Sequence, residues 1–181
     1  MGVEQRETTI LNADVAGFSG LIARDTPGTI DALLRSVNGL ATAVEAHGGR
    51  VVDAHGDNLM AEFPSAAAAV RCAVHVQWCE RDRQVPEHLR IRFRVGLHAG
   101  GVLERNGRLF GNTVNIAARL QAAAPVGGVL MSDAVAQEYG DERGLLQGDY
   151  SLRRLKNIPE PVRVIAASPT PTPLPRAEEA S

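Results

Sequence analysis

Apolar and polar positions alternate from Leu89 to Ala99. Ile91, Phe93, Val95 and Leu97 point one way, while Arg90, Arg92, Arg94 and His98 point the other, the two-residue period of a half-buried strand. Between Pro27 and His47 the period changes. Ile30, Leu33, Leu34, Val37, Leu40, Ala41 and Val44 share one helical face, with Pro27 in the first turn and Gly48-Gly49 as the stop. Thr8 to Ala13 predicts a strand ending at Asp14, followed by a turn at Gly17-Phe18-Ser19-Gly20. Arg50 to Phe63 predicts two strands about a His55-Gly56-Asp57-Asn58 turn. Pro64 and Ser65 open a second helix, rich in Ala and Val, that runs to about Arg81. Gly100-Gly101 predicts a turn into another short strand, and Asn112 to Ala124 a third helix. Short segments continue to Ala166. The order is β-α-β-β-α-β with C-terminal additions. It predicts an α+β, ferredoxin-like split βαβ fold, with helices over one face of a mainly antiparallel sheet.

Composition narrows the setting. The 181 residues suffice for one domain with a core, expected over 1–166. The Pro-, Ser- and Thr-rich stretch 167–181 is expected to be a disordered tail. A net charge of −2 gives no general attraction to nucleic acid or anionic membrane. No apolar run reaches spanning length and no signal-peptide core opens the chain, so a cytoplasmic protein is expected. Cys72 and Cys79 lie too far apart for a metal motif and are expected as buried free thiols.

Three groups of residues carry candidate chemistry. Asp14 ends the first strand, and Asp57 sits at a hairpin tip that such a sheet can bring beside it. Paired carboxylates suit Mg²⁺, which keeps its other positions for water or phosphate. Two such ions can clamp a triphosphate. The N–H groups of Gly17, Phe18 and Ser19 can cradle phosphate oxygens. Taken singly, Asp14 fits a helix cap equally well, and Asp57 a Gly-Asp turn. Asn115 and Arg119 stand four apart, on one face of the third helix. Their amide and guanidinium suit ribose and phosphate recognition, although a surface polar pair fits the same spacing.

Together these segments resemble the class III nucleotidyl cyclases, the adenylyl and guanylyl cyclase catalytic domain. The resemblance rests on TILNADVAGFSGL, GGRVVDAHGDNLMAEFPSAAAAVRCAV, FRVGLHAGGV, GNTVNIAARL and LKNIPEPVRVI. It implies that Asp14, Asp57 and the Val15 carbonyl hold two divalent cations, Mg or Mn. It implies that Asn115 orients the ribose, that Arg119 stabilises the α-phosphate, and that Lys156 contacts the terminal phosphates. The resemblance also implies a head-to-tail homodimer. Each site would take its metals from one subunit and its Asn, Arg and base-reading residues from the other.

The base-reading positions depart from the adenylyl pattern. Where adenylyl cyclases carry Lys and then Asp or Thr, this chain has Asp53 and Arg108. A carboxylate facing the acceptor nitrogen of adenine is repulsive, and an unmatched buried polar group costs about 1–3 kcal/mol. The reversed polarity suits uracil, with Asp53 accepting from N3–H, or guanine, with Asp53 accepting from N1–H and the 2-amino group. Cytosine also fits through its amino group. A long Arg108 would fill the space of a smaller base. The expectation is therefore conversion of UTP to cyclic UMP, as in the stand-alone uridylate cyclases of antiphage signalling (Pycsar), with a downstream cyclic-nucleotide effector. The alternatives are a guanylyl or adenylyl cyclase, or a degenerate homologue that binds nucleotide without turnover.

Overall fold

The structure, a computed structural model, describes residues 4–141 and 144–167. Its elements run β1 (Glu4–Val15), α1 (Phe18–Arg24), α2 (Thr26–Ala46), β2 (Arg50–His55), β3 (Asn58–Phe63) and α3 (Ala66–Asp82). They continue with β4 (Phe93–Arg105), β5 (Arg108–Phe110), α4 (Asn112–Ala123), β6 (Val129–Ser132), α5 (Asp133–Tyr139), β7 (Leu146–Arg153) and β8 (Val162–Ala167). Among the described residues, the strands form one sheet in the order β2-β3-β1-β4-β6-β8-β7, with β5 paired to β4. The four strands β2, β3, β1 and β4 are antiparallel throughout, as the split βαβ arrangement requires. Among the described residues only β4 and β6 pair in parallel.

Helices cover both faces, not one. Leu11, Ala13 and Val15 of β1 join the main core with residues of α2, α3 and α5. The alternate residue Ile10 packs on the other side, with Ala117 of α4 and with Val102 and Leu109. Strand alternation thus gives β1 two buried faces, which explains its nearly unbroken burial. Gly96 lets α4 lie directly on the sheet. A methyl group there would overlap the Gln121 amide and the Ala117 carbonyl.

Several boundaries differ from the expected ones. The Gly17 turn leads into a short helix, α1, that presents no fully buried residue. Pro27 stands in the first turn of α2 as expected, and Asp25 caps the helix, accepting from the Gly28 N–H at 3.0 Å. On α2, Leu33, Leu40 and Val44 are buried, but Ile30 and Leu34 are exposed. The expected stripe was therefore too wide. Strand β4 begins at Phe93 and runs straight through Gly100 and Gly101, because both pair with β1 opposite Thr8 and Glu7. Cys72 is buried, and burial pushes its thiol up to about 12; Cys79 is only half-buried. Ala167 closes β8 and is buried, one residue beyond the expected boundary. The remainder of the expected tail lies outside the described residues.

Candidate active site

Asp14 sits near the end of β1, opposite Asn58 on β3 and Arg94 on β4. The next residue, Val15, donates its N–H to the Asp57 carbonyl at 3.1 Å. Asn58 donates from Nδ2 to Asn12 Oδ1 at 3.1 Å, which ties the hairpin tip to β1. Sheet register therefore brings Asp14, Val15 and Asp57 to one place. The side chain of Val15 is buried, so only its main chain is available there.

Arg94 is the residue that sequence reasoning missed at this place. It donates to both oxygens of Asp14, from Nε at 3.0 Å and from Nη2 at 2.8 Å. Those bonds raise the guanidinium pKa, and the nearby Asp57 adds to the effect. The alternation of β4 groups Arg94 with Arg90 and Arg92 as a general basic face. The structure separates them. Arg90 and Arg92 precede the strand and pair with Glu87, and Arg90 also donates to the carbonyls of Glu80 and Arg81. Only the register of β1 against β4 sets Arg94 opposite Asp14, and that register is not legible from periodicity.

The residues gathered here fit a hard divalent cation. Two carboxylates and a main-chain carbonyl are the oxygen donors that Mg²⁺ and Mn²⁺ prefer. The guanidinium lies against Asp14 as a cation would, which shows that the place attracts positive charge. Among the described residues no group of three or more His, Cys, Asp or Glu side chains could hold a metal. A metal held here would thus need its other ligands from water or from substrate phosphate.

The Gly17-Phe18-Ser19 turn follows directly. Gly17 takes a left-handed φ of 67°, which glycine adopts without a Cβ penalty. The first helical bond runs from the Leu21 N–H to the Gly17 carbonyl at 3.2 Å. The N–H groups of Phe18 and Ser19 precede it and are outside the helical ladder. Phe18 packs against the main core and anchors the turn. A cleft of ≈ 680 Å³ runs along this turn, with Gly17, Gly20, Arg24 and Arg92 on its walls.

The second set stands on α4. Thr113, Ala117, Leu120 and Gln121 are buried towards the sheet. Asn115 and Arg119 lie on the opposite, exposed side. They lie on the side of α4 turned away from the sheet. Lys156 is exposed on the turn after β7, and the preceding Leu155 shares a buried cluster with Leu120 of α4.

Asp53 and Arg108 come together within one chain. Both line a hollow of ≈ 560 Å³, along with Met60, Phe110 and Val114. Val114 is the immediate neighbour of Asn115, so this hollow belongs with the α4 set. Asp53 lies on β2 next to a register shift, and its Oδ1 is 2.8 Å from His55 Nδ1. Arg108 is exposed and does not fill the hollow.

Comparison with known proteins gives the family and the fold. The profile of the adenylate and guanylate cyclase catalytic domain matches residues 3–155. A Rhizobium meliloti protein provisionally named an adenylate cyclase is 36% identical over 170 residues, covering 92% of this chain and 29% of its own length. An adenylate cyclase of Streptomyces coelicolor is 35% identical over 128 residues, covering 70% of this chain and 32% of its own. The chain thus spans about a third of the length of these relatives. A crystal structure of an adenylate/guanylate cyclase/hydrolase from Silicibacter pomeroyi superposes with a TM-score of 0.81 at 35% identity, covering 93% of this chain and all of that one. The adenylyl cyclase CyaB of P. aeruginosa shares the fold, with a TM-score of 0.77 at 20% identity over 97% of this chain and 100% of that one.

Proposed function

Because this chain belongs to the adenylate and guanylate cyclase catalytic domain family, we propose that it converts a purine nucleoside triphosphate to a 3′,5′-cyclic nucleotide and pyrophosphate. The observation that carries this reading is the joining of Asp14, Asp57 and Arg94 at one sheet end. The matching half is the pairing of Asn115 and Arg119 on the outward face of α4.

In the proposed reaction the ribose 3′-oxygen attacks the α-phosphorus. The new P–O bond forms as the bond to the β-phosphate oxygen breaks, and pyrophosphate leaves. Divalent cations, Mg or Mn, held by Asp14, Asp57 and the Val15 carbonyl, would supply charge neutralisation and a more acidic 3′-hydroxyl. Asn115 orients the ribose, and Arg119 stabilises the charge gathering on the α-phosphate. The N–H groups of the Gly17-Phe18-Ser19 turn, Arg94 and Lys156 hold the outer phosphates. Most of the acceleration would come from positioning and electrostatics, as for phosphoryl transfer generally. Asn115 and Arg119 lie on the outward side of α4, where a second subunit can meet them, so the working unit in this reading is a homodimer with two equivalent sites.

The base follows from Asp53 and Arg108. Guanine meets this polarity: N1–H and the 2-amino group donate to Asp53, and O6 or N7 accepts from Arg108. The expectation of a pyrimidine rested on Arg108 filling the pocket. The ≈ 560 Å³ hollow, which stays open with Arg108 on its wall, favours a purine instead. The relatives named above are adenylate or adenylate/guanylate cyclases, which also favours a purine over UTP. The stand-alone, antiphage setting rested on a bare catalytic domain and on the altered base-reading pair, and the chain matches only about a third of the length of the relatives named above.

The test is incubation of the purified protein with each of the four ribonucleoside triphosphates and Mn²⁺, with cyclic products identified by mass spectrometry. Cyclic GMP as the main product is expected. Cyclic AMP alone would overturn the role given to Asp53 and Arg108, and cyclic UMP alone would restore the pyrimidine reading. No cyclic product under varied conditions would favour a homologue that binds without turnover.

A further inference from the structure

His55 follows Asp53 by two residues on the edge strand β2, so both side chains leave the same face of the sheet. The register shift between Val51 and Asp53 re-aims this part of the strand, as bulges commonly do. Asp53, His55 and Arg108 line the same hollow. The His55 Nδ1 lies 2.8 Å from Asp53 Oδ1, although the two side chains are 83% and 52% exposed.

Exposure decides what this contact can be for. An ion pair so open to water contributes little to stability. A close polar contact nevertheless removes freedom from a short side chain on an open strand edge. With Oδ1 set 2.8 Å from the imidazole nitrogen, the Asp53 carboxylate is restricted and Oδ2 is left as the acceptor for a ligand. A free carboxylate would have to be ordered by the base itself, at an entropic cost in affinity.

We propose that His55 is a positioning residue for base selection, which holds Asp53 as an oriented acceptor for a ring N–H of the substrate. The proposal rests on the assignment of Asp53 as a base-reading residue, and its test separates the two. His55 does not touch the base. Its effect passes through Asp53, and it falls on substrate affinity and base preference rather than on the chemical step.

The experiment compares the full chain with H55A, H55N, D53A and the double variant D53A/H55A. Steady-state kinetics with GTP, ATP and UTP gives turnover. Equilibrium binding of the 3′-deoxynucleoside triphosphates, which cannot cyclise, gives base preference independently of turnover. For H55A, a rise of about tenfold in KM and Kd for the preferred base is expected, with the less favoured bases little changed. H55N, whose amide can reproduce the Nδ1–H donor, is expected to recover most of that loss. In the D53A background, removal of His55 is expected to change nothing further. Wild-type preference in H55A, together with lost preference in D53A, overturns the role of His55 and leaves Asp53 in place. Unchanged preference in D53A overturns the base-reading assignment itself. An effect of H55A that persists on top of D53A also overturns the proposal, since His55 would then act by another route.

Discussion

Arg94 and Asp14 face each other across the β1–β4 pairing, the guanidinium donating to both oxygens of the carboxylate. One cation therefore already neutralises the group proposed to bind metal. Binding of a divalent ion and release of Arg94 towards phosphate are then coupled. For Arg94→Met, activity is expected to fall on the order of 100-fold through loss of a phosphate-directed charge. Mn²⁺ binding without nucleotide is expected to tighten, because a competing cation is gone. Electron paramagnetic resonance of free Mn²⁺ reads this directly. Weaker Mn²⁺ binding would instead make Arg94 a support of the metal ligands.

The split between the sheet end and the outer face of α4 predicts complementation. Asp57→Ala and Arg119→Ala should each lose activity on the order of 100-fold or more, with the dimer kept on size-exclusion chromatography. Mixing the two after subunit exchange should restore activity to about a quarter of wild type, since half the dimers are then mixed and each holds one intact site. No recovery would mean that each site is built within a single chain.

Gly96 carries α4. In Gly96→Ala the added methyl meets main chain, which cannot rotate away. A loss of about 1–3 kcal/mol is expected from this overpacking, visible as a lower urea midpoint. Activity at temperatures where the variant is folded should fall as well, because α4 presents Asn115 and Arg119. Full activity in a destabilised variant would detach the helix position from the chemistry.

Acid should weaken the fold through His98. Burial lowers its pKa to about 4, and Nδ1 lies 2.7 Å from the Ser132 hydroxyl oxygen. The unfolded chain binds a proton at this residue below its ordinary value of about 6.5, while the folded chain does not until about 4. Stability is therefore lost as pH falls between those values, by about 3 kcal/mol in all. His98→Asn should flatten that part of the stability–pH curve in denaturant titrations. An unchanged slope would assign the acid sensitivity to other groups.

Much of the scaffold was legible in the sequence because burial imposes period. Ile91, Phe93, Val95 and Leu97 read correctly as inward-facing, and the antiparallel core follows from the order of elements. Helix α1 was not legible, since it buries no residue and its Gly17 cap offers no side-chain signal. The straight passage of β4 through Gly100 and Gly101 was hidden for a different reason. Local preference favours a turn there, and pairing with β1 overrides it. At the site, the four-residue spacing of Asn115 and Arg119 was enough to put them on one face of α4, whereas the meeting of Asp14 and Asp57 with Arg94 came only from register. Arg94 shows this most plainly. Its neighbours Arg90 and Arg92 have the same chemistry and go to Glu87. The pairing of Asp53 with His55 was hidden because a single strand period cannot show that two neighbours on one face have closed on each other.

The contact of α4 with Gly96 has one more consequence. Where main chain rests on main chain, the height of the helix above the sheet does not depend on which side chains surround it. The hollow beside Val114 can then exchange its lining without lifting Asn115 and Arg119. What is recognised and where the reaction is held thus become separable traits, and a lineage can change its nucleotide without rebuilding its catalyst.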